Sequence, residues 1–104
     1  PQMLTRFLRA ALKGIAYARE NPQEAIEITM KYAGPETDPE HQRFMLEAEL
    51  ADAQNEMTSI HGIGWQTKDQ WQALANMLQE YDAMPAVDVD KAFTTQLLEA
   101  ANIP

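Results

Sequence analysis

The residues with the most chemistry in them lie between positions 59 and 66, in the run Ser59-Ile60-His61-Gly62-Ile63-Gly64-Trp65-Gln66. This run lacks helical periodicity and holds two glycines, so it is expected to be an ordered loop. His61 and Trp65 flank the glycine turn, where an imidazole and an indole can stack on or hydrogen-bond a small ligand. Gln66 adds an amide beside them, and His61, Trp65 and Gln66 together form the candidate ligand-binding set. Trp65 can also anchor the loop on the protein interior, and both roles stand open here. The two glycines do not make a phosphate cradle. Thr67 occupies the third glycine position of a dinucleotide fingerprint, no strand precedes the run, and no Gly-Lys-Ser/Thr follows it. No cofactor is therefore expected.

Elsewhere the chemistry is thin. His41 stands beside Glu40 and three residues after Asp38, but a metal site needs ligands converging from several elements, and no His-Glu-x-x-His or Glu-x-x-His pair seeds one. Asp88-Val89-Asp90 opens like a calcium loop, yet Ala92 falls at the next ligand position and Phe93 where the turn glycine belongs. No metal is expected. The absence of cysteine removes disulfides, thiolate ligands and thiol nucleophiles. Sixteen carboxylates are present, but no spacing selects two of them for acid-base work, so neither catalytic residues nor an enzymatic activity are expected.

These residues must be positioned by a chain of 104 residues, the size of one domain, with 45% apolar residues to fill an interior. The formal net charge of -8 disfavours nucleic acid as a partner, because phosphate binding draws on a positive field. No stretch approaches the roughly 20 consecutive apolar residues of a membrane span, and none resembles a signal-peptide core. Charge is unevenly spread: residues 1 to 19 carry four bases and no acid, residues 20 to 104 four bases and sixteen acids. A basic, acid-free start can be read as a transit or membrane-surface segment. The lack of Ser before residue 20 and the continued apolar stripe favour a basic helix docked on acidic neighbours.

That stripe, Leu4, Phe7, Leu8, Ala11, Leu12, Ile15 and Ala18, predicts a helix from about residue 3 to 20. Asn21-Pro22-Gln23-Glu24 supplies a cap, a proline at the first position and an acid in the first turn, so a second helix starts there. Its apolar residues wrap most of the circumference, which predicts cover on more than one side, and Gly34-Pro35 ends it. Asp38-Pro39-Glu40 repeats the device and opens a third helix through roughly Met57, with Phe44 and Met45 on one apolar face. Thr67-Lys68-Asp69-Gln70 is a capping box for a fourth helix, with Trp71, Leu74, Leu78 and Tyr81 facing inward. A last helix is expected from about Asp90 with Phe93, Leu97, Leu98 and Ala101 as its stripe. Nothing alternates with period two, so the expectation is all-α, about five helices in one helical domain or fragment spanning residues 1 to 104.

In order along the chain come Phe7-Leu8-Arg9-Ala10, Lys13-Gly14, Tyr17-Ala18, Asn21-Pro22-Gln23-Glu24-Ala25, Lys31-Tyr32, Gln42 with Met45-Leu46-Glu47, Gly62-Ile63-Gly64-Trp65, Trp71-Gln72, Val87-Asp88 and Phe93-Thr94. This order resembles the extracytoplasmic solute-binding proteins of ABC importers, in the branch of thiamine-pyrimidine-precursor, nitrate, sulfonate and taurine binders. The resemblance implies the C-terminal helical part of a type II periplasmic-binding-protein fold, whose two α/β lobes close on a small solute and deliver it to a membrane permease. It further implies an extracytoplasmic location and ABC-type import of a thiamine-pyrimidine precursor or a sulfonate- or nitrate-like molecule. No binding residue of the family transfers to this chain, because the matching positions are helix caps and packing residues. Without a sheet to cover, the apolar helix faces call for another partner, and a homodimer is expected. The alternative is a stand-alone helical dimerisation or interaction module without a ligand site.

Overall fold

The computed structural model describes residues 1–81 and 83–101, and all regular structure among them is helical. The helices are α1 (Gln2–Glu20), α2 (Pro22–Ala33), α3 (Pro39–Asp52), α4 (Glu56–His61), α5 (Lys68–Glu80) and α6 (Gln96–Ala101), with a 3-10 turn at Val89–Lys91. The all-α expectation holds. The helix starts follow local chemistry: Asp38 Oδ1 accepts from the Glu40 amide at 3.0 Å, and Thr67 and Gln70 form a reciprocal capping box at 3.2 and 3.0 Å. Gly34, at φ 88°, ends α2 in the left-handed region that glycine tolerates.

Three boundaries differ from the sequence expectation. Asn21 precedes α2 as foreseen, but its side chain does not cap that helix. Instead Asn21 Nδ2 donates to the Tyr17 carbonyl at 3.1 Å and closes the end of α1. The expected third helix is two helices. Its ladder tightens when the Gln54 amide bonds the Ala51 carbonyl at 3.1 Å, and Asn55 then starts α4 through a second capping box with Thr58. Asn55 Oδ1 accepts from the Thr58 amide at 2.9 Å while the Asn55 amide donates to Thr58 Oγ1 at 2.8 Å. Ser59 to His61, expected to be loop, therefore complete a helix. The last helix begins six residues later than Asp90, because Asp88 Oδ1 accepts from the Asp90 amide at 3.2 Å and diverts that segment into the 3-10 turn.

Packing is pairwise. α1 lies against α6 and α2, α2 against α3, and α5 against the 3-10 turn. Among the described residues the buried apolar side chains are Ile26, Val89, Leu98 and Ala101, and none of the large side chains is completely enclosed. The radius of gyration is 17.0 Å, against about 13 Å for a compact chain of this length. The inward faces predicted for several helices are consequently open: Tyr32 on α2 is 86% exposed and Phe44 on α3 is 68% exposed. Tyr81, expected to face inward at the end of α5, is also exposed. Helical period identifies which residues share a stripe, but a stripe is buried only where another element lies over it.

Candidate functional site

The loop after α4 is shaped by two glycines. Gly62, at φ 97°, ends α4 and donates its amide to the Thr58 carbonyl at 2.8 Å. Gly64, at φ 88°, lets the chain reverse, and the Trp65 amide reaches the Gly62 carbonyl at 3.3 Å. This reversal lays Trp65 on His61, with ring centroids 4.3 Å apart and planes inclined by 19°. The two predicted aromatic residues are thus brought together, on each other. One face of the half-buried indole is covered by the imidazole.

Gln66 turns the other way. Its Oε1 accepts a hydrogen bond from Trp71 Nε1 at 2.8 Å, and the Trp71 ring stacks on Phe93 with centroids 5.9 Å apart. Trp71 thereby ties the loop after α4 and the segment before α6 to one helix. A second tie is the ion pair between Lys68 Nζ and Asp90 Oδ2 at 2.7 Å. The hydrogen bond to Asp90, reinforced by the charge of that carboxylate, holds Lys68 above the usual lysine value. Both side chains are more than half exposed, so the pair serves register more than stability.

Between α1 and α6 these ties leave a groove of about 340 Å³. Leu8, Leu12 and Ile15 of α1 form one wall and Leu97 and Leu98 of α6 the other, with Ile63 and Gly64 closing one side. Gln66, Thr94 and Thr95 add polar groups, and the lining holds no ionisable side chain. Thr95 Oγ1 is committed to Glu99 Oε1 at 2.8 Å, whereas Thr94 Oγ1 accepts from the Gln96 amide at 3.3 Å. The volume falls at the small end of the roughly 300–1,000 Å³ typical of ligand pockets, with the same balance of apolar walls and few polar groups.

Arg9 holds the two walls together. Its Nε donates to the Ala101 carbonyl at 3.2 Å and its Nη2 to the Ala100 carbonyl at 3.0 Å. These are the last carbonyls of α6, the negative end of its dipole. The basic first helix, expected to dock on acidic neighbours, makes no ion pair among the described residues and uses Arg9 on a helix terminus instead.

Of the three candidate residues, Gln66 lines the groove; His61 and Trp65 do not. Leu8, Leu12 and Ile15 belong to the apolar stripe expected on the first helix, and the hydroxyl pair Thr94-Thr95 just before α6 is the sequence signal for the opposite side. Among the described residues no three His, Asp or Glu side chains gather to hold a metal ion, and no helix is long and apolar enough to cross a membrane.

The groove is small and its lining uncharged, with no chemistry specific to one ligand. Comparison with known proteins narrows it. The chain is 31% identical over 102 residues to riboflavin-binding protein RibY of Chloroflexus aurantiacus, a match covering 94% of this chain and 29% of the relative. The chain thus spans less than a third of the relative's length. No protein-family model and no solved structure matches it.

This corrects the sequence-based assignment to ABC-importer binders of thiamine precursors, nitrate, sulfonates and taurine, since the relative found is named for riboflavin and no family model for such binders matches. Import of a thiamine-pyrimidine precursor or a sulfonate- or nitrate-like solute falls with it. The alternative, a stand-alone dimerisation module without a ligand site, is not supported either. The error has a physical origin. The residues that carried the resemblance are caps and packing positions, which dictate where helices start and pair and say nothing about the ligand.

Proposed function

We propose that this chain is the helical part of a vitamin-binding protein, and that the groove between α1 and α6 takes a flat, uncharged heteroaromatic vitamin of the riboflavin class. The observation that carries the reading is its similarity, along 94% of its length, to a protein named as riboflavin-binding. The groove is compatible in chemistry. Leucine and isoleucine walls suit the apolar end of an isoalloxazine ring, and Gln66 with Thr94 suits its amide and carbonyl edge. The Oε1 of Gln66 accepts from Trp71 Nε1, which leaves its amide nitrogen as the donor this side chain can offer a ligand. With no cation in the lining and a net charge of -8, a phosphorylated flavin is disfavoured relative to the free vitamin.

The test is a fluorescence titration of riboflavin with the chain. Saturable quenching is expected, with Gln66→Ala weakening the affinity about tenfold, equivalent to one hydrogen bond of about 1.4 kcal/mol. Riboflavin emission that stays constant up to the solubility limit of the vitamin sinks the reading.

A further inference from the structure

The accessible surface of the chain is 8072 Å², about 2,200 Å² more than the roughly 5,900 Å² of a compact monomer of 11.8 kDa. Large apolar side chains account for much of what is open, and they stand on every helix from α1 to α5, Phe7, Tyr32 and Phe44 among them.

We propose that the open faces of α1, α2 and α3 are a packing interface for a larger portion of the same polypeptide, equivalent to the part of the relative that lies outside the match. Two observations select this occupant over a second copy of the chain. An isologous dimer pairs one patch with itself, whereas the exposed large apolar residues here stand on α1, α2 and α3 and on two further helices. The relative, similar along nearly all of this chain, has more than twice as much polypeptide beyond the match. The chemistry of the covering surface follows from the rim. Asn21, Gln23, Glu24, Glu27 and Lys31 surround Ile28 in the recess on α2, so the partner surface there is apolar at its centre with polar side chains of both charges at its edge. This inference does not depend on flavin binding.

The test compares the 104-residue chain with the product of the complete natural reading frame that contains it, by hydroxyl-radical footprinting at Phe7, Tyr32 and Phe44. Labelling is expected to slow by about fivefold or more in the longer polypeptide, as for rings removed from water in a packed interface. Phe44→Glu should lower the thermal midpoint of the longer polypeptide while leaving amide exchange in the 104-residue chain unchanged. Equal labelling in both, a reading frame that encodes no more than these residues, an unaffected midpoint, or a discrete dimer of the short chain that protects the three rings would each overturn the proposal. A failed riboflavin titration with intact protection removes the vitamin reading alone.

Discussion

Replacing Arg9 by alanine isolates what keeps the groove closed. α6 has six residues, about half the length at which an isolated helix becomes even marginal in water, so its persistence depends on its neighbours. Arg9 offers two charge-assisted hydrogen bonds to its last carbonyls, one part-buried and one exposed. Such bonds contribute about 1.5–3 kcal/mol each when buried, and solvent access at this site reduces the pair to about 1–2 kcal/mol in total. A loss of that size raises the open population of α6 about 5–30-fold. The assay is native-state amide exchange. The Glu99 amide, bonded to the Thr95 carbonyl at 2.8 Å, reports on α6, and the Tyr81 amide, bonded to the Met77 carbonyl at 3.2 Å, serves as reference at the end of α5. Arg9→Ala should accelerate the first and leave the second unchanged. Arg9→Lys should fall between, because an ammonium retains the charge near the helix end but not the two-pronged geometry. Unchanged exchange at Glu99, or equal acceleration at both amides, refutes the assignment of Arg9 as the clamp.

Other consequences follow from single residues. Gly64→Ala should destabilise the loop by about 1–2 kcal/mol through its positive φ and not through crowding, since an added Cβ would meet the Leu98 methyls at 3.8 and 3.9 Å. Gly64→Asn should cost less, because asparagine enters the left-handed region more readily, and a larger loss for Asn than for Ala in urea melts contradicts the backbone argument. At alkaline pH two groups act in the same direction. The hydrogen bond to Asp90 raises Lys68 above 10.5. The hydrogen bond to Glu24 raises Tyr17 above 10.0. Each holds its proton more tightly folded than unfolded, so the stability it contributes is complete below those ordinary values and is lost as pH rises through the folded ones. Asp90→Asn should remove the Lys68 part of that loss and leave the Tyr17 part, as read from urea midpoints between pH 9 and pH 12.

Much of the secondary structure was legible because its signals are local. Asp38-Pro39, Thr67 with Gln70, and Gly34-Pro35 act within three or four residues, and the structure places helix ends at each. The break at Ala53 falls inside the expected third helix because the apolar periodicity runs through it, and the Asn55-Thr58 box that restarts the chain is visible in the structure. The same limit applies to the site. Gln66 was singled out for its place in a glycine loop and does line the groove, but the stacking of His61 on Trp65 depends on the sense in which two glycines turn.

The sequence by itself determined an all-helical chain, the caps at Asp38 and Thr67 and the stop at Gly34, its uneven charge and its want of thiol chemistry. Only the tertiary structure decided that Leu8, Leu12 and Ile15 face a groove, that Arg9 reaches carbonyls 91 and 92 residues away, and that the stripes of α2 and α3 remain open. Caps and periodicity are properties of neighbours in the chain, whereas the fate of an apolar stripe depends on what is folded over it, which is a long-range property that no window of sequence contains.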